Sequence, residues 1–141
     1  MSRLALSVLL VLAVAAPAFA DESKPWSQVL LGQPKASDPR QEPLVMIAID
    51  GKRDFDPETL YQLAPGKHEI SVAIQRTDTA GALVVQTLAI DMQPCTNYEL
   101  IGRRTPGTSD DNRHWTPELR EQTPIKRCRK KFGDTPAQPV P

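Results

Sequence analysis

The chain of 141 residues carries 17 basic and 17 acidic side chains, so its formal net charge is zero with histidine neutral. That balance excludes a strongly basic nucleic-acid binder and a globally cationic membrane-active protein. Two cysteines and two histidines are a short inventory for chemistry.

In chain order, residues 1–20 read as a signal peptide. Arg3 supplies a positive start, Leu4 to Ala16 an apolar run, Pro17 its end, and Ala18-Phe19-Ala20 the small residues a signal peptidase cuts after. The run is too short for a permanent span, so no transmembrane anchor is expected. No cysteine follows the cut to carry a lipid. The product is expected to begin near Asp21 and to be exported, periplasmic or extracellular. Loss of Arg3 leaves it one net negative charge. Residues 21–43 hold Pro25, Pro34, Pro39 and Pro43 among charged and small residues and read as an extended linker. Trp26 and Val29-Leu30-Leu31 interrupt it, as one helical turn or as an apolar patch docked on the domain.

Residues 44–132 form the expected domain, in which alternation with period two dominates and helical periodicity is nearly absent. Val45, Ile47 and Ile49 share one face of a first strand, which stops at the turn pair Asp50-Gly51. Asp56-Pro57-Glu58-Thr59-Leu60 has the chemistry to begin a helical turn, with Asp56 as cap and Pro57 in first position. A second strand puts Ile70, Val72 and Ile74 inward with His68 on the same side. Asp78 and Gly81 mark a hairpin loop. The return strand carries Val84, Leu88, Ile90 and Met92 in phase. A further strand from Thr96 turns Tyr98 and Leu100 inward and Asn97, Glu99 and Arg103 outward. A sheet with one apolar face must bury it, and without an amphipathic helix the partner is a second sheet. The expected fold is all-β, a small antiparallel β-sandwich with one disulfide and irregular tails, 133–141 being a disordered tail.

Cys95 and Cys128 are expected to pair in an oxidising compartment. Metal ligation or a redox pair would need further ligands or a Cys-x-x-Cys, and neither pattern is present. The bond would pin the segment around Trp115, where Pro117 and Pro124 permit only an edge strand, beside the Tyr98 strand and close its edge.

The run Val45-Met46-Ile47-Ala48-Ile49-Asp50-Gly51-Lys52, followed by Leu63-Ala64-Pro65-Gly66-Lys67-His68-Glu69-Ile70-Ser71-Val72, resembles the PEGA-type module over about residues 44–76. The resemblance implies an immunoglobulin- or transthyretin-like sandwich of exported bacterial proteins, acting as a non-catalytic accessory or interaction module. It transfers an architecture and no site. The chain departs from it after Met92.

The search for chemistry returns little. His68 reads as a half-buried ring bonded to a nearby carbonyl. His114 follows Asp110, Asp111 and Arg113 at a spacing that matches no defined metal site. No Gly-x-Ser-x-Gly, His-Glu-x-x-His or phosphate-cradling loop occurs. Asp54, Asp56 and Glu58 read as turn and cap residues. Trp115 is either a core plug beside the disulfide or an exposed platform, the core being favoured. No enzyme, metal or cofactor is expected.

The remaining signal is charge. Lys126, Arg127, Arg129, Lys130 and Lys131 are either a solvated tail or a polyanion-binding run, which Arg103 and Arg104 would join if the disulfide brought them together. The expectation is a monomeric, non-catalytic accessory module of the bacterial envelope, its partner an envelope protein or an anionic polymer. Alternatives are direct binding of an anionic envelope polymer through the basic run, or inhibition of a secreted enzyme by a loop spanning residues 103–113.

Overall fold

A computed structural model describes residues 23–75, 83–107 and 114–133. The expected signal peptide, the Asp78/Gly81 loop, the acidic pair Asp110/Asp111 and the tail beyond Gly133 lie outside the described residues. Two sheets face each other. One runs β8 (Trp115–Pro124), β7 (Thr96–Arg104), β1 (Ser27–Leu31), β4 (Leu60–Leu63), with the two-residue β2 (Gln41–Glu42) continuing beside β7 past the end of β1. The other runs β3 (Leu44–Ile49), β5 (Gly66–Ile74), β6 (Val85–Met92). Apolar residues from both inner faces meet in one core, including Val29, Tyr98, Leu100 and Trp115 from the first sheet and Ile70, Val72, Ile90 and Met92 from the second. The all-β fold of two packed sheets read from the alternation is what forms, and Cys95 is bonded to Cys128.

Among the described residues every strand pairing is antiparallel except one: β1 runs parallel to β7, with Gln28 to Leu31 opposite Asn97 to Leu100. This strand corrects the linker reading of residues 21–43. Its prolines stand outside Ser27–Leu31 and leave every ladder donor intact. With β7 on one side and β4 on the other, β1 is interior to its sheet, and Val29 is fully buried. A five-residue strand is too short to show its period among prolines.

Three further differences have local causes. Residues 56–59 form no helix, because the Glu58 N–H goes to the Tyr61 hydroxyl at 2.9 Å and the Thr59 carbonyl accepts from Leu31 N–H at 2.7 Å. Those bonds draw the chain into β4. In β3 a register shift between Met46 and Ala48 turns the face, so Leu44, Ala48 and Ile49 are buried instead of an unbroken Val45/Ile47/Ile49 row. The basic run is helical, as α1 (Lys126–Phe132). Ile125, Cys128 and Phe132 sit at helical spacing beneath the charges, a stripe too short to register as periodicity.

The turn residues act as read. Asp50 and Gly51 both have positive φ, 50° and 73°, and Ile49 and Lys52 exchange two backbone hydrogen bonds across them. This is the tight hairpin turn whose backbone twist suits antiparallel strands. The Asp50 carboxylate ties the turn to β5, accepting from Glu69 N–H at 2.8 Å and lying 2.7 Å from His68 Nδ1. The opposite nitrogen of the buried His68 ring donates to the Ala64 carbonyl at 2.7 Å. Gly66, at φ 127°, starts β5 in a region that favours glycine.

Candidate anion-binding surface

A seven-residue helix does not persist alone in water, and α1 begins against its own dipole. Ile125 caps it without a side-chain hydrogen bond, and Lys126 and Arg127 sit where cations are disfavoured. Only the last turn, with Arg129, Lys130 and Lys131, suits the dipole.

Tertiary contacts hold α1 in place. Cys128 is fully buried and bonded to Cys95, with 5.2 Å between their Cα atoms. Ile125 N–H donates to the Cys95 carbonyl, and Cys95 N–H to the Trp26 carbonyl, both at 2.8 Å. Trp26, buried beside the disulfide, meets the Phe132 ring edge-on with centroids 6.0 Å apart. The Arg127 guanidinium lies 5.7 Å from the Trp26 ring centre, a cation–π contact. A second small core of Trp26, Cys95 and Cys128, flanked by Ile125 and Phe132, therefore anchors the helix. The tryptophan at the disulfide is Trp26. Trp115 is buried in the main core and pairs with Arg104 at the other end of β7, which corrects its placement beside the bond.

With Cys128 turned inward, Lys126, Arg127, Arg129, Lys130 and Lys131 are all exposed around two turns of helix. No acidic residue lies in α1. Five cations on a patch one helix long concentrate positive potential where the chain as a whole has none.

Arg103 and Arg104 do not join this patch. Thr96 pairs with Pro124 at the α1 end of β7, whereas Arg103 and Arg104 stand at its far end, roughly 25 Å along the strand. They are also engaged with carboxylates. Arg103 pairs with Glu118 and, at 2.9 Å, with Asp38; Arg104 Nε donates to Glu42 at 2.5 Å. The hydrogen bond to Glu118, then that to Asp38, makes the Arg103 guanidinium hold its proton more tightly. The hydrogen bond from Arg103 in turn holds the Asp38 carboxyl below the usual carboxylate range. This end of β7 is an ion-pair clamp on residues 38–42.

Arg120, which the sequence reading passed over, organises a neighbouring clamp. It pairs with Glu99 and donates to the Gln33 carbonyl at 2.7 Å and to the Gln41 side chain at 3.2 Å. A Cβ on Gly32 would lie 2.7 Å from the Glu99 carboxylate, so the chain passes close above this pair. Cross-strand register would have revealed the cluster, and a single sequence does not supply it.

A groove of about 390 Å³ lies between the two sheets beside β1, β3 and β4, lined by Leu31, Leu44, Met46, Pro57, Glu58 and Tyr61. Among the described residues no three histidine, cysteine or acidic side chains gather as a metal site, and no helix is long and apolar enough to cross a membrane. No protein-family model, curated protein or solved structure matches this chain.

Proposed function

We propose that this protein is an exported, non-catalytic binding module of the bacterial envelope whose contact element is α1, presented to an anionic polymer. The observation that carries the reading is the pairing of opposites in one short element. Five exposed cations occupy a helix whose single buried side chain is a disulfide half-cystine. A disordered basic tail would lose conformational freedom on binding, and anchoring removes much of that cost beforehand. The leader-like residues 1–20 and the paired cysteines support export. The Asp50-Gly51 turn, Gly66 and the buried His68 support the PEGA-type reading as scaffold, because each has a structural duty that accounts for its presence.

A cation close to an anionic surface contributes about 1 kcal/mol, so changing Lys130 and Lys131 to Gln costs about 2 kcal/mol, close to thirty-fold in affinity. Binding of the oxidised protein to purified lipopolysaccharide and to polyphosphate is to be followed by calorimetry. Affinity should fall steeply from low to physiological salt and fall again in the double variant. Binding indifferent to both salt and the Gln substitutions would dismiss the reading. The pair Arg103→Gln/Arg104→Gln should leave affinity close to that of the parent, since those side chains face Asp38, Glu118 and Glu42.

A further inference from the structure

We propose that β6 is a docking edge that pairs with the β6 of a second copy, joining two three-stranded sheets into one of six strands. An edge strand offers a row of unpaired N–H and C=O groups, and folded proteins blunt such edges with prolines, charges, bulges or brevity. Three long or exposed edges here are blunted. In β8, Pro117 and Pro124 stand among Glu118, Arg120 and Glu121. In β4 there are four residues. β3 starts directly after Pro43, and its register shifts between Met46 and Ala48.

β6 has none of these devices. It pairs with β5 without a shift from Gly66 opposite Met92 to Ala73 opposite Val85. It contains no proline or glycine, its one charge is Asp91, and residues 83–90 carry none. Among the described residues its other edge pairs with no strand. Leu83 and Val85, 53 % and 44 % exposed, are the most exposed large apolar side chains described. Beside the edge the outer face carries small side chains: Ala73, itself fully buried, lies opposite Val85, and the Ser71 and Thr87 hydroxyls meet at 3.0 Å. On the inner face the Gln86 amide reaches the Trp115 carbonyl at 3.5 Å, which ties β6 to β8.

The chemistry of the edge selects its occupant. A charged strand would find no counter-charge along residues 83–90, so an uncharged extended strand is required, and this chain carries one. A two-fold axis at Thr87 runs the copies antiparallel and makes the contact self-complementary. Thr87 then faces its counterpart, Val85 faces Ala89 and Asp91 lies beside Leu83, so no like charges meet and the exposed Val85 is covered.

The test is sedimentation velocity of the oxidised protein over a range of concentrations, with Thr87→Lys as the edge variant. Thr87 is exposed and lies outside the core, so the variant should keep the parent's far-ultraviolet dichroism. The parent should sediment as a dimer, and Thr87→Lys should raise its dissociation constant at least about a hundredfold, because two lysines are brought opposite each other. Amides of Val85–Met92 should be protected from hydrogen exchange in the dimer and lose that extra protection in the variant. Changing Lys130 and Lys131 to Gln should leave the dimer intact, which separates this contact from the one proposed for α1. A parent monomeric at every concentration would overturn the proposal. So would a Thr87→Lys dimer as tight as the parent's, or a β6 edge that takes up a peptide from another protein while the chain alone stays monomeric.

Discussion

Replacing both Cys95 and Cys128 by Ser removes the covalent tie that holds α1 against β7. The bond closes a loop of 33 residues. The loop-closure relation for the unfolded chain then gives a destabilisation of about 4 kcal/mol at 25 °C. A domain of this size has roughly 5–15 kcal/mol in hand, so the loss is a large share of the total. The folded state should suffer unevenly. The main core of Val29, Ile70, Val72, Tyr98 and Leu100 does not touch the bond. The small core of Trp26, Ile125 and Phe132 loses its covalent centre. The edge-on Trp26–Phe132 contact, the Arg127–Trp26 cation–π contact and the hydrogen bonds around Cys95 remain, weak ties for a helix that starts with two cations against its dipole. Urea denaturation followed by tryptophan fluorescence gives the free energy, and amide exchange of residues 126–132 gives the state of the helix. The expected result is a loss of about 4 kcal/mol with α1 amides exchanging freely while β5 and β7 stay protected. A loss under about 1 kcal/mol with α1 still protected would refute the reasoning and assign the anchoring to Trp26 and Phe132 alone.

Tyr98→Phe removes a hydroxyl that accepts from Gln93 N–H at 2.7 Å at the β6–β7 turn; thermal unfolding should show a loss of about 1–2 kcal/mol, and an unchanged midpoint would deny that bond its role. At Gly102 an added Cβ would lie 3.1 Å from both the Glu42 carbonyl oxygen and a Leu44 methyl. Gly102→Ala should therefore destabilise by about 1–3 kcal/mol in urea titration, with neutral behaviour counting against the close approach of β2 to β7. Asp38 has its folded carboxyl held below its unfolded value, so its contribution is fully present above the ordinary carboxylate range and disappears as pH falls through the lowered folded value. Carbon-detected titration should show Asp38 protonating later than exposed carboxyls, with the 38–42 segment loosening in the same acid window. In Arg103→Gln the Asp38 titration should move back up.

The two-sheet fold was legible because burial of one face imposes period two on β5, β6 and β7, and their side chains carry it plainly. His68, Ile70, Val72 and Ile74 are buried in the phase their spacing dictates. The disulfide was legible from the leader-like residues 1–20 and the count of two cysteines. β1 was hidden, since a short strand receiving neighbours on both sides needs no long alternation, and the prolines around it dominate the composition. α1 was hidden for a related reason: a helix held by one cysteine and two flanking apolar residues owes little to its own propensity. The basic residues were visible and their grouping was not. Which cations stand together depends on strand register, and β7 carries Arg103 and Arg104 away from α1 into the company of Asp38, Glu42 and Glu118.

The most direct measurement for the account is a titration of the isotopically labelled, oxidised protein with polyphosphate, followed residue by residue by amide chemical shift. Shifts confined to residues 125–133 and the Trp26 indole are the predicted result. Shifts centred on Arg103 and Arg104, on the groove beside Tyr61, or nowhere at all would contradict it.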